Sequence, residues 1–225
     1  MGRRGAVARP AALSLAARCE AAARPAGHSL RAGLLRLADA DRALYGTIAA
    51  THTPLLDEPF RRLSQAANYS RIWMVVATGM TVFGGPDGRR AAVRGLAAIA
   101  VTSATVNVGV KSLHPRRRPD RTGALVPRTR HVEMPSSTSF PSGHSAAAFA
   151  FASAAGRSLP QAGAPLRVLA AAVAYSRVHT GVHFPGDVIA GSIIGAVIGR
   201  TVGGQRRSLL AVRARDSASR FVSCR

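Results

Sequence analysis

Ser176-Arg177-Val178-His179-Thr180-Gly181-Val182-His183-Phe184-Pro185-Gly186-Asp187 runs directly into an uncharged stretch, residues 188–199, and follows another, residues 168–176. A polar connection between two apolar blocks long enough for helices predicts a helical hairpin with its chemistry in the turn. The same alternation extends outward. From Arg71 onward the chain is a series of uncharged blocks, 72–86, 95–110, 145–156, 168–176 and 188–199, separated by arginines. Each is shorter than the roughly 20 apolar residues that span a bilayer. Flanking arginines that snorkel extend several of them, as where Leu159 to Leu166 precedes Arg167 or Arg200 continues the last block. The expected fold is therefore all-α, a multi-helix bundle with about five core transmembrane helices; a soluble Ala-rich bundle is the alternative.

In the last block Gly191, Gly195, Gly199 and Gly203 recur every four residues, a stripe that lets two helix backbones approach closely. Trp73, at the start of the first block, is expected to be an interfacial anchor. Upstream, residues 39–70 mix apolar and charged positions in a pattern suited to two short amphipathic helices. The expected organisation is an Ala/Arg-rich N-terminal tail (1–38), one helical domain (39–205) and a basic C-terminal tail (206–225). At 225 residues the chain is long enough for one well-buried core.

The formal charge of +21 arises from 31 basic and 10 acidic residues, and Lys111 is the only lysine among the bases. So many guanidinium groups suit contact with phosphate, on lipid head groups or on nucleic acid. Aromatic residues are only 5%, which leaves few stacking platforms for single strands and argues against a nucleic-acid partner. Cys19 and Cys224 stand near opposite ends without metal-type spacing, so neither a disulfide framework nor a metal site is expected. The apolar run from Pro10 to Ala17 ends at Arg18 without a secretory cleavage pattern.

Three short elements carry candidate chemistry. Lys111 is followed after six residues by Arg118-Pro119, placing an ammonium and a planar fork at the end of one helix. Taken alone this is a solvated basic stretch, but a chain that otherwise uses only arginine has put a compact cation there. Pro141-Ser142-Gly143-His144 opens the block 145–156, where free backbone N–H groups and the positive helix end form a natural phosphate seat. Taken alone it is equally an N-cap. His183 stands four residues before Asp187, and a carboxylate bonded to one imidazole nitrogen leaves the other free to attack. Taken alone that pair reads as structural. His28, His52, His114, His131 and His179 have no partner by spacing and are expected to be polar loop residues.

Together, Lys111-x6-Arg118-Pro119, Pro141-Ser142-Gly143-His144 and Ser176-Arg177-x5-His183-x3-Asp187 resemble the three-part signature of the type-2 phosphatidic acid phosphatase superfamily, with no departure at a signature position. The resemblance covers about residues 39–205. It implies a metal-independent and cofactor-free phosphatase acting on a lipid phosphate or pyrophosphate monoester, of phosphatidic acid or polyprenyl type. It further implies that Lys111, Arg118 and Arg177 bind phosphate oxygens with Ser142 and the Gly143 amide. His183 would attack phosphorus to give a phosphohistidine, with Asp187 orienting its ring, and His144 would protonate the leaving oxygen and then activate water. The implied setting is a multi-pass protein of the cell membrane with an extracytoplasmic active site; nothing in the chain specifies an oligomeric state. Two alternatives remain at this level: a vanadium-dependent haloperoxidase, in which the same residues hold vanadate, and a non-enzymatic basic protein that binds nucleic acid or membrane.

Overall fold

The structure is a computed structural model that describes residues 15–113 and 115–222. Among the described residues it is all-helical. In chain order the α-helices are α1 (Leu15–Ala50), α2 (Pro54–Ala66), α3 (Arg71–Phe83), α4 (Gly85–Ala104), α5 (Lys111–Leu113), α6 (Gly143–Ser158), α7 (Pro160–His179) and α8 (Pro185–Val222). Two compact units divide between Arg42 and Ala43, within α1. The expected tails are thus helical backbone where described, α1 from Leu15 and α8 as far as Val222. The uncharged blocks 145–156, 168–176 and 188–199 fall in α6, α7 and α8, while 72–86 covers α3 and the start of α4, and 95–110 runs from α4 through the turn that follows it. Gly85–Val110 and Pro185–Gly204 are long and apolar enough to cross a membrane. α3, with 13 residues, is about 20 Å long.

The second unit is organised around α6, whose run of alanines, Ala146, Ala148, Ala150, Ala152 and Ala154, is completely buried together with Phe151. A helix covered on every side shows no amphipathic period, which is why the block 145–156 reads as uniformly apolar. Its closest neighbour is α8. A Cβ added at Gly191, Gly195 or Gly199 would land on the carbonyl oxygens of Ser142, Ala146 and Ala150, and one at Gly203 would lie 3.1 Å from the Ala154 Cα. Both series advance by four, so the glycine ridge of α8 runs parallel to the alanine ridge of α6, backbone against backbone. α4 runs the other way: Arg94, mid-way along it, donates to Ser158 Oγ at 2.8 Å at the end of α6 and to the Gly203 carbonyl at 3.2 Å, while Lys111, beyond its C-terminus, faces Gly143 at the start of α6. The N-termini of α6 and α8 therefore share one end of the bundle with the C-termini of α4 and α7.

Trp73 corrects its expectation. It is 1% exposed and packs on Phe151 at a centroid distance of 5.2 Å, in a core that Gly95 opens for the Phe151 ring. A large aromatic at the start of a short helix reads as an anchor only while the helix that covers it is unknown.

At the site end, α4 continues through a π-helical turn, Thr105–Val110, into α5. π-turns are rare and concentrate at functional positions. The connection from α5 to α6 carries one 3-10 turn, Arg128–Arg130, and is otherwise irregular, as its prolines predict.

Candidate active site

α7 ends at His179, and Gly181 (φ +70°) turns the chain so that the Val182 and His183 amides donate back to the Arg177 carbonyl at 3.1 and 3.2 Å. A Cβ at Gly181 would meet the Arg121 side chain and the Tyr45 hydroxyl, so glycine is required twice over, by conformation and by space. The turn buries His183 between α7 and α8 at 2% exposure. Arg118 Nη1 lies 3.2 Å from His183 Nε2 and donates to the Val182 carbonyl at 2.8 Å. A guanidinium can only donate, so this contact assigns a bare lone pair to Nε2 and the proton to Nδ1.

On the Nδ1 side, Asp187 Oδ2 is 3.6 Å away, and Ser139 stands between the two groups. The Ser139 hydroxyl donates to Asp187 Oδ2, while its oxygen lies 3.4 Å from Nδ1. Asp187 is held in addition by Arg116 Nη1 at 2.7 Å and by the Phe184 amide at 3.0 Å. The predicted His/Asp pair is thus present, with a serine inserted into it. Burial, opposed by the Asp187 carboxylate and reinforced by Arg118 and Arg177, pushes the His183 imidazole down to about 4 from its ordinary 6.5. It is neutral at neutral pH.

Arg118 and Lys111 meet at Ser137: Lys111 Nζ donates to its hydroxyl at 3.2 Å, and Arg118 Nε donates to its carbonyl at 2.9 Å. Burial and Arg118 lower the Lys111 ammonium, and burial lowers Arg118. Gly143 faces Lys111, whose Nζ would lie 3.8 Å from a Cβ there. Arg177 is 1% exposed and donates from Nη1 to the Ser64 carbonyl at 3.1 Å and to its hydroxyl, while its Nε has no partner. Among the described residues none of these three cations has a carboxylate partner. Ser142 is the N-cap of α6: its oxygen accepts from the Ser145 amide at 3.4 Å and from the Ser145 hydroxyl at 3.0 Å, which leaves its own proton free. His144 opens α6, with Nε2 at 3.0 Å from Asn68 Oδ1. A cavity of about 410 Å³ lies in front of it, walled in part by Asn68, Tyr69, Glu133, Ser136 and Ser137. A second cleft of about 200 Å³ runs from His144 and Lys111 along Asn107 and Thr102 of the π-turn region.

All eight sequence-predicted residues therefore stand at one end of the bundle. Sequence reasoning missed Ser64, Asn68, Arg116, Ser137 and Ser139, which hold them there. Arg116, Ser137 and Ser139 lie on the irregular connection between two signature elements, where no spacing rule applies, and Ser64 and Asn68 lie far upstream of all three. His179 is also corrected: it is buried, with Nε2 at 3.1 Å from Asp57 Oδ1. Asp57 accepts from Arg130 Nε at 2.7 Å and from Thr129 at 3.1 Å, and Arg130 reaches the Thr51 carbonyl. This buried cluster pins the long connection to α2 and to the end of α1. His131 is a loop residue, as expected, and its Nε2 lies 3.0 Å from the Val126 carbonyl.

Uncompensated cations, two helix N-termini and a neutral imidazole with a bare nitrogen form a seat for an oxyanion beside a nucleophile. The model of the PAP2 superfamily matches residues 91–207. Decaprenylphosphoryl-5-phosphoribose phosphatase of Mycobacterium tuberculosis is 34% identical over 182 residues, which cover 75% of this chain and 98% of that protein. Among solved structures, the transmembrane PAP2 type phosphatidylglycerolphosphate phosphatase from Bacillus subtilis superposes with a TM-score of 0.58 at 25% identity, covering 77% of this chain and 87% of its own. Aquifex aeolicus LpxE does so with a TM-score of 0.56 at 25% identity, covering 71% and 92%. The matched region encloses all three sequence elements, and the chain belongs to the PAP2 superfamily as a membrane phosphatase of that family.

Proposed function

We propose that the chain hydrolyses a lipid phosphate monoester or pyrophosphate in two steps through a phosphohistidine, without a metal ion. The observation that carries this reading is the cluster of Lys111, Arg118 and Arg177, which lack carboxylate partners among the described residues and stand around His183. A buried cation such as Arg177, without a paired carboxylate, is costly until an anion arrives, and positioned cations stabilise a transferring phosphoryl group as metal ions do elsewhere. His183 Nε2 attacks phosphorus, the bond to the leaving oxygen breaks, and His144 delivers a proton to that oxygen. Ser139 and Asp187 accept the charge that develops at Nδ1. Water then gives a proton to His144 as its oxygen bonds phosphorus and the N–P bond breaks, releasing inorganic phosphate. The Arg177 Nε–H, the Ser142 hydroxyl and the Gly143 amide are donors for the phosphate oxygens.

The M. tuberculosis relative supports a polyprenyl-linked substrate, and Asn68, Glu133, Ser136 and Ser137, among the mixed polar and apolar walls of the 410 Å³ cavity beside His144, could bond a hydroxyl-bearing group next to the scissile bond. We place the protein in the cell membrane as a multi-pass chain with the site on the extracytoplasmic side. The family resemblance carries this orientation; arginines stand at both ends of the bundle, Arg89, Arg90 and Arg157 at one and Arg116, Arg117, Arg121 and Arg128 at the other. Labelling of Ser136→Cys by a membrane-impermeant thiol reagent in intact cells, with Cys19 and Cys224 replaced by serine, checks it; protection until lysis reverses the orientation.

The function itself is tested by phosphate release from purified protein in detergent with EDTA, over phosphatidic acid, phosphatidylglycerol phosphate, polyprenyl phosphates, polyprenyl pyrophosphates and lipid-linked sugar phosphates. Release that persists in EDTA and is lost in His183→Ala is expected. Loss in EDTA sinks the metal-free mechanism, and wild-type rates in His183→Ala remove the nucleophile.

A further inference from the structure

The partners of the two site histidines differ in charge. His183 has a carboxylate behind it, relayed by Ser139; His144 has a neutral amide, Asn68 Oδ1, 3.0 Å from Nε2. Asn68 sits in the short turn between α2 and α3, where Tyr69 (φ +54°) and Ser70 (φ +59°) are both left-handed. Two consecutive non-glycine residues in that region are strained, and a chain retains such strain where surrounding structure fixes it for a purpose. Here α3 is locked behind the turn by buried Trp73 and α2 ahead of it by the Ser64–Arg177 bonds. The turn directs the Asn68 amide onto His144 and leaves Tyr69 88% exposed on the rim of both clefts.

The charge difference has a chemical sense. A nucleophilic imidazole gains positive charge as it bonds phosphorus, so an anion behind it helps. A general acid must surrender its proton, and an anion behind it would oppose that. A side-chain amide accepts a hydrogen bond from either protonation state and takes no proton itself.

We propose that Asn68 is a positioning residue for leaving-group protonation, its Oδ1 holding the His144 Nε2–H so that Nδ1 is the nitrogen that exchanges a proton with the substrate. This rests on the function proposed above, in which His144 is the acid. In the first step Nδ1–H passes its proton to the leaving oxygen as the P–O bond breaks and the His183 N–P bond forms. In the second, Nδ1 takes a proton from the attacking water as the N–P bond breaks.

The test compares kcat/KM for two leaving groups on the same purified preparation in detergent: p-nitrophenyl phosphate, whose phenolate departs without a proton, and hexyl phosphate, whose alkoxide does not. kcat/KM reports the steps through departure of the leaving group, and its ratio between substrates is independent of the folded fraction. Asn68→Ala is expected to lower hexyl phosphate turnover about 10- to 100-fold and p-nitrophenyl phosphate turnover less than about 3-fold. Asn68→Asp, which restores an acceptor, is expected to recover hexyl phosphate turnover to within about 10-fold while moving the basic limb of its pH profile upward by about one unit. Equal losses on both substrates, or no loss on either, overturn the proposal. His144→Ala is run in parallel. If it is selective for the alkyl substrate and Asn68→Ala is not, only the role of Asn68 falls; if neither is selective, the assignment of His144 as the acid falls with it.

Discussion

At His183 the two ring nitrogens have different neighbours, and those neighbours divide the work. Arg118 donates toward Nε2, which marks it as the unprotonated nitrogen that can attack, while Ser139 and Asp187 lie behind Nδ1. Because burial lowers the folded-state value to about 4 from 6.5, the unfolded chain binds more protons at this residue between those values. Stability from this group is therefore present in full above about pH 6.5 and is lost as pH falls toward 4. Thermal unfolding in detergent should show the wild type losing Tm through that window and His183→Gln losing less; parallel curves would show that the imidazole is not buried in its neutral form. His183, Asp187, Lys111 and Arg118 could be singled out in the sequence because their combined spacings resemble a three-part family signature; each element alone reads as structural or as a solvated basic stretch. Ser139 and Ser137 could not, since each acts through the fold of the 112–141 connection, whose register no periodicity records. The serine between His183 and Asp187 is visible only once that connection has been laid across the turn.

Among the elements, α6 and α8 do most to set the site, because their contact fixes where Ser142, His144 and Asp187 stand. The Ser142 amide donates to the Asp187 carbonyl at 3.0 Å, joining the two N-termini directly. The glycine stripe was readable as a close-packing device; its partner was not, because Ser142, Ala146, Ala150 and Ala154 form one ridge in a helix that is alanine-rich on every face. Gly195→Val should lower the melting temperature and cost about 1–3 kcal/mol or more, since the added atoms meet the Ala146 carbonyl and backbone cannot yield as a side chain can. Gly79→Ala, at a helical glycine with nothing near its missing Cβ, should be neutral or stabilise by about 0.5–1 kcal/mol. A Gly195→Val protein that melts like the wild type would mean that the α6–α8 contact is looser than described. The helix starts were less legible than the helices. α4 begins at Gly85, ahead of the uncharged block at 95, because Arg89, Arg90 and Arg94 interrupt hydropathy without interrupting helix.

Across the whole molecule, antiparallel helices bring their ends together at one end of the bundle, and charge collects there. The +21 balance and the sole lysine pointed toward phosphate, and the structure concentrates the relevant cations where two helix N-termini add their partial positive charge. The Asp57–Arg130–His179 cluster contributes from outside the site by pinning the long connection that delivers Arg116, Arg118, Ser137 and Ser139. None of its members shares a motif, so only the fold reveals it. The central claim is that this arrangement makes His183 a covalent catalyst. Rapid acid-free quenching of the enzyme during turnover, followed by mass spectrometry of its peptides, tests that directly. The account predicts one phosphoryl group on the peptide bearing His183, acid-labile and absent in His183→Ala; a peptide that stays unmodified while phosphate is being released, or a phosphoryl group on another residue, would contradict it.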